Sequence, residues 1–242
     1  MTGADREPHS LSTGHTVGVP LDLEATITGA VFAAPLDDLR AMVPDGLRPV
    51  RLTPRRGGIT ILSVDYHRIG DDAMAPYNEV SIQIPATREG SRTVPVVSGL
   101  LGATGGYVWA MPVTTEPAKA LGREVWGYPK TVADIAIDHG ERATQTTVSL
   151  DGDRVLTMDV TRPPAVPLRV RGHTYTELDG RLVREDTAIR GRVGAWPLSQ
   201  GATVEVGSRG FARQVPEEWF DGRALLRLAA DCRFRIEAPR PV

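Results

Sequence analysis

The chain has 242 residues, with 28 basic and 30 acidic side chains and a formal charge of −2. This length can bury a sizeable core, and the near-neutral charge provides no global field for nucleic acid or an anionic membrane, so neither is expected as a partner. Cys232 is the single cysteine, which excludes an intrachain disulfide framework, and two lysines, Lys119 and Lys130, stand against 26 arginines. Guanidinium keeps its proton and is a poor nucleophile, so a lysine retained in so arginine-biased a chain asks for a reason.

Residues 1–20 mix Ser, Thr, Gly, Pro and His without periodicity and read as a flexible arm, with residues 21–242 forming one domain. The N-terminus has acids where a secretory signal is basic, and no apolar segment follows, so a cytoplasmic location is the default. Leu23–Phe32 alternates as a strand. Pro35 then opens a helix with apolar residues at 36, 39, 42 and 43, ended by Pro44 and Gly46. Strands are predicted at Ile59–His67, Glu79–Pro85 and Gly106–Val113. The long uncharged stretch Thr93–Thr115 contains Pro95, Pro112 and several glycines, and so reads as loop and buried strand and not as a membrane span. A second helix is predicted over Glu116–Trp126, capped by Thr115 and stopped by Gly127 and Pro129. Strands follow at Lys130–Ile137, Thr144–Leu150 and Val155–Val160, the last two joined by Asp151-Gly152 as a hairpin. Further strands are predicted at Leu168–Thr176, Asp186–Val193, Thr203–Val206 and Leu225–Ile236, with one helical turn at Pro216–Phe220. Many strands and few short helices predict an α+β, mainly antiparallel domain.

The five histidines lack the close spacing of helical metal ligands, so no metal site is expected, and no cofactor is implied. Serine-hydrolase, dinucleotide and nucleotide-triphosphate loops are absent.

The informative block is Glu116-Pro-Ala-Lys-Ala-Leu-Gly-Arg-Glu-Val-Trp-Gly-Tyr-Pro-Lys130. It resembles the acetoacetate decarboxylase superfamily, whose members show E-P-A-x-A-x-G-R-E followed by a Y-P-K or F-P-K that ends in a Schiff-base lysine. Asp38-Leu39-Arg40 ahead of Val43-Pro44, and Tyr77-Asn78-Glu79 ahead of Ile84-Pro85, resemble the family's early helix and its Y-x-E strand. The likeness is good over residues 20–160 and loose beyond. It implies a cone-like antiparallel barrel with short peripheral helices and the lysine inside, a homo-oligomer, and a lyase acting on a small or medium oxo acid through an imine on Lys130.

By the same resemblance Glu79 shuttles protons beside the imine, while Tyr77, Trp126 and Tyr128 are substrate-binding candidates. Glu79 and Tyr77 lie two residues apart on a strand and face the same side. A core role is equally open for Trp126 and Tyr128. Glu116, Arg123 and Glu124 read as residues that fix the packing of a short helix, and Lys119 as solvated. Read as the first residue of a strand, Lys130 shares a face with Val132, Asp134 and Ala136. An amine must be neutral to attack a carbonyl, and burial of Lys130 is the expected activator. The second lysine that many family decarboxylases carry is Thr131 here. Their first-strand arginine and second glutamate fall near Ala25 and Leu62, which leaves Arg68, Arg88 or the C-terminal arginines to meet a substrate carboxylate. Decarboxylation, aldol, dehydratase and cyclase chemistry on oxo acids all remain open, as does a non-catalytic ligand-binding role.

Overall fold

The computed structural model describes residues 6–91 and 105–242, and the loop expected over 93–104 lies outside them. Strands β1 (Glu7–Ser10) and β2 (Thr16–Val19) form a hairpin, followed by β3 (Leu21–Pro35), α1 (Leu36–Met42), β4 (Leu47–Pro49), β5 (Arg51–Thr53), β6 (Arg56–Ile69) and β7 (Tyr77–Arg88). Then come β8 (Gly105–Val113), α2 (Glu116–Leu121), a π turn at Gly122–Trp126, β9 (Lys130–Val132), β10 (Asp134–His139), β11 (Ala143–Leu150) and β12 (Asp153–Thr161). The chain continues through β13 (Val166–Leu178), β14 (Arg181–Ser199), β15 (Ala202–Val206), β16 (Ala224–Ile236) and β17 (Arg240–Pro241). Among the described residues no helix is long and apolar enough to cross a membrane.

Seven strands close into a barrel in the order β7-β6-β3-β16-β14-β13-β8, with β8 returning to β7. Every neighbour in this ring is antiparallel except β13 and β8. That parallel joint is short, pairing Thr174 with Gly106 and Tyr175 with Tyr107, and β9 then takes over beside β8 at Met111 to Val113. A separate sheet, β10-β11-β12-β15, packs against the barrel.

The period-2 geometry of a strand explains why β6 and β7 are buried on both faces. Leu62, Val64 and Tyr66 point into the barrel cavity, whereas Ile59 and Ile61 join the core shared with the four-stranded sheet. In β7 the parity is the same: Tyr77, Glu79, Ser81 and Gln83 face the cavity, and Val80, Ile82 and Ile84 face the second core. This places Tyr77 and Glu79 on one face, as their spacing predicts.

Three expectations need correction. The predicted flexible arm contains, over residues 6–20, the β1-β2 hairpin, because Leu11, Val17 and Val19 find a place in the barrel core and order the chain around them. The predicted strand Lys130–Ile137 is two strands in different sheets. The switch falls at Ala133, which is buried and donates its N–H to the Val113 carbonyl, so Lys130 is buried while Val132, Asp134 and Ala136 are exposed. Finally, the predicted helix Glu116–Trp126 is α-helical only to Leu121 before widening into the π turn.

Candidate active site

The segment before Lys130 is shaped to bring one side chain into the barrel. Thr115 caps α2 by accepting from the Ala118 N–H, and the π turn ends at Gly127 with φ +69°, a left-handed conformation that a side chain resists. A Cβ there would also press on the carbonyl of Glu177. Arg123 Nε donates to the Lys130 carbonyl at 2.7 Å and ties the end of the segment back to the turn. Glu124 accepts from the Ser12 N–H at 3.0 Å and anchors the N-terminal hairpin, while Glu116 pairs with Lys119 at 2.9 Å on the surface. These charges fix the helix and its neighbours, as read from the sequence, and Lys119 stays outside the barrel.

Lys130, Glu79, Tyr77, Trp126 and Tyr128 meet in one cavity of about 220 Å³. This is smaller than the roughly 300–1,000 Å³ of sites for drug-sized ligands and suits a small one. Lys130 Nζ stands 2.8 Å from Glu79 Oε2, with both side chains 4% exposed. The contact has the distance of an ion pair but not the angles of a hydrogen bond, and Oε2 has no aligned donor among the described residues. Nζ donates to the Tyr77 hydroxyl at 3.2 Å and lies 5.1 Å from that ring's centroid and 6.0 Å from that of Tyr128.

Burial of the ammonium pushes its pKa down, but the charge of Glu79 and the neighbouring Tyr77 outweigh burial and hold it above the ordinary lysine value. Burial therefore does not free the amine of its proton in this state, contrary to the sequence expectation, because the acid expected beside it is close enough to reverse the balance. Tyr77 is pushed up to about 12 by burial, partly offset by Lys130, so its hydroxyl keeps its proton.

Two parts of the site escaped the sequence reading. Tyr66, directly across from Tyr77 in the β6-β7 ladder, donates to Glu79 Oε1 at 3.2 Å, and its ring lies 4.4 Å from that of Tyr77. Behind Tyr128, whose hydroxyl is 3.2 Å from Thr174 Oγ1, Thr174 and Thr176 contact the fully buried Glu185. Cross-strand pairing explains the second group, since Thr174 faces Glu185 in the β13-β14 ladder, but no sequence motif marks it.

The remaining wall is largely apolar, including Leu23, Ile27, Leu62, Met111, Leu121 and Phe234, with Ser81, Gln83, His173, Thr174 and Thr187 as its further polar residues. Leu62 lines the cavity at the position expected to lack a glutamate, whereas Ala25 lies outside its lining. Among the described residues no arginine lines the cavity; Arg68 pairs instead with Glu24 at 2.7 Å. A larger open groove of about 600 Å³ lies elsewhere, with Glu24, Arg190, Asp231 and Arg233 in its walls and no lysine.

The family model described as acetoacetate decarboxylase (ADC) matches residues 10–175, and the chain belongs to that family. No curated protein matches it in sequence. The fold is similar to acetoacetate decarboxylase from Legionella pneumophila at 15% identity and a TM-score of 0.66, covering 100% of this chain and 92% of that one. It is also similar to the enduracididine biosynthesis enzyme MppR complexed with pyruvate, at 13% identity, a TM-score of 0.66 and 98% coverage of both chains. An acetoacetate decarboxylase-like enzyme from Sphingomonas wittichii follows at 17% identity, a TM-score of 0.59 and 92% coverage of both.

Proposed function

We propose that the protein is a lyase that forms an imine between Lys130 and the carbonyl of a small or medium oxo acid, with β-keto acid decarboxylation as the leading reaction. The observation that carries this reading is the buried Lys130–Glu79 contact of 2.8 Å at the wall of a small, mostly apolar cavity. Proton transfer from Lys130 to Glu79, uphill in the resting pair because the carboxylate charge favours the ammonium, gives the neutral amine that adds to the carbonyl carbon. Loss of water gives an iminium, which accepts the electron pair released when the carboxyl group leaves as carbon dioxide. The resulting enamine takes a proton at carbon, and water then frees the product and restores Lys130. Tyr77 hydrogen-bonds at the amine, and Trp126 and Tyr128 wall the cavity. No cofactor enters these steps.

The same iminium supports aldol, dehydratase or cyclase chemistry on a 2-oxo acid. This second reading is favoured by the apolar Leu62 and by the fold it shares with an enzyme complexed with pyruvate. Borohydride trapping with acetoacetate, pyruvate and longer oxo acids, followed by peptide mass mapping, tests both. An adduct on Lys130 is expected, and its absence with every acid supports a ligand-binding role without imine chemistry. We further propose a homo-oligomeric, cytoplasmic enzyme, to be checked by light scattering and cell fractionation.

A further inference from the structure

Proton counting around Glu185 gives a result that the lysine centre does not require. Thr176 Oγ1 lies 2.5 Å from the Trp126 carbonyl oxygen and 2.7 Å from Glu185 Oε1. A threonine hydroxyl has one proton, and a carbonyl oxygen can only accept, so the short contact to Trp126 uses the Thr176 proton. Glu185 Oε1 then faces a lone pair, and the contact is a hydrogen bond only if the carboxyl group carries a proton. With that proton in place every oxygen is matched: Glu185 Oε1–H to Thr176, Thr176 to Trp126, Thr174 to Glu185 Oε2 at 2.9 Å, and Tyr128 to Thr174 at 3.2 Å.

The surroundings agree. Glu185 is fully buried, and no cation pairs with it among the described residues, since the adjacent Arg184 turns to Asp186 at 2.7 Å. Burial pushes its pKa up to about 7, against the pull of the two threonine hydroxyls, and the charge of Asp186 adds to the rise. Tyr128, across Thr174, is itself held neutral by burial and by Glu185, and His173, next on β13, is depressed to about 4 by burial and is uncharged near neutral pH.

Each hydroxyl in this chain can rotate. A half-turn of the Glu185 carboxyl group gives up the bond to Thr176 and brings Oε1–H to Thr174, so that the chain runs outward, from Glu185 Oε1 to Thr174, from Thr174 to Tyr128, and from Tyr128 to an oxygen in the cavity. We propose that Glu185 is the site's buried proton store, acting through Thr174 so that Tyr128 delivers a proton to the hydroxyl leaving the Lys130 carbinolamine. This inference rests on the imine reading. In the step the Glu185 proton passes to Thr174, the Thr174 proton to Tyr128, and the Tyr128 proton to the departing hydroxyl, which leaves as water while the iminium forms. Glu185 becomes a carboxylate that both threonines can then serve as donors. Its proton returns by the reverse sequence when water attacks the iminium at the end of the cycle, so the chain is neutral over one turnover.

The test uses the full-length protein with Glu185→Gln and Thr174→Val. The glutamine amide can donate to Thr176 and accept from Thr174 as the protonated acid does, so folding is preserved while the transferable proton is lost. In protein labelled with ¹³C at glutamate carboxyls, the signal missing from the glutamine variant is expected to be that of a protonated acid below about pH 7. With acetoacetate or pyruvate as probe, both variants should form the borohydride-trapped Lys130 adduct about 100-fold more slowly than wild type, the scale of general acid catalysis. The wild-type rate should fall as Glu185 loses its proton, and the variants should lack that limb. An ionised Glu185 signal at acidic pH, or a wild-type adduct rate and pH profile in Glu185→Gln, overturns the inference while leaving the imine intact. Absence of an adduct in the wild type overturns the imine reading and this step with it, and the carboxyl signal then still reports whether Glu185 holds its proton.

Discussion

Gly122 and Lys130 compete for the same space: a Cβ on Gly122 would lie 2.5 Å from Lys130 Cε and nearer still to Cδ. The glycine of the helix is therefore the floor on which the lysine side chain rests. Gly122→Ala should fold, since alanine favours helical backbone by about 1 kcal/mol over glycine. It should displace the amine, however, and misplacement on the scale of 1 Å costs about 100-fold in rate. The rate of the borohydride-trapped adduct, set beside the melting temperature, checks this; equal losses in both would mean that the glycine serves folding alone.

Lys130→Arg should abolish turnover and adduct formation, because guanidinium stays protonated and cannot form the imine. Mass mapping after borohydride treatment reads this directly. Retained turnover in a folded Lys130→Arg protein would remove the imine mechanism.

Glu79→Gln should change the sign of the protein's alkaline pH dependence. In the wild type the folded Lys130 pKa is raised above the ordinary 10.5, so its stabilising contribution is present below that value and is lost as pH rises through the folded pKa. Without Glu79, burial dominates and the folded pKa drops below the ordinary value, so stability should instead rise with pH as the ammonium loses its proton. At neutral pH the variant should be weaker by about 3–5 kcal/mol, the cost of removing one partner from a buried ion pair. Thermal unfolding of both proteins from neutral to alkaline pH reads the slopes; parallel curves would show that Glu79 does not control the lysine.

Tyr66→Phe removes the donor to Glu79 Oε1 and leaves a buried acceptor unpaired, at a cost of about 1–3 kcal/mol. The adduct at Lys130 should persist, because Tyr77 and Glu79 remain beside the amine. Denaturant unfolding together with trapping separates the two effects. Loss of the adduct at full stability would make Tyr66 part of the chemistry.

Lys130, Glu79, Tyr77, Trp126 and Tyr128 were picked out by the family resemblance of one short block and one strand, and all five line the same cavity. The Asp151-Gly152 turn was equally readable, and both residues adopt positive φ, as does the Asp179-Gly180 pair that joins β13 to β14. Tyr66 and Glu185 were not legible because their roles arise from cross-strand register, which no local motif in the sequence marks. The charge state of Lys130 was hidden for a related reason: burial can be inferred from a residue's own setting, but a distance of 2.8 Å to Glu79 requires the closed barrel. The turn at Ala133, where a single predicted strand passes between two sheets, depends on which sheet offers a partner, and alternation alone does not encode that.

The parallel joint between β8 and β13 is held over Gly106 and Tyr107, whereas the hairpin β13-β14 is zipped from Val166 to Leu178. Stability in such a ring is uneven, and parting begins at its least bonded edge. One lip of that edge carries Lys130, Glu79 and Tyr128, and the other carries Thr174, Thr176 and Glu185. A fluctuation too small to melt the barrel could thus part Tyr128 from Thr174 and separate the amine from Glu185, so loss of the site need not wait for loss of the core.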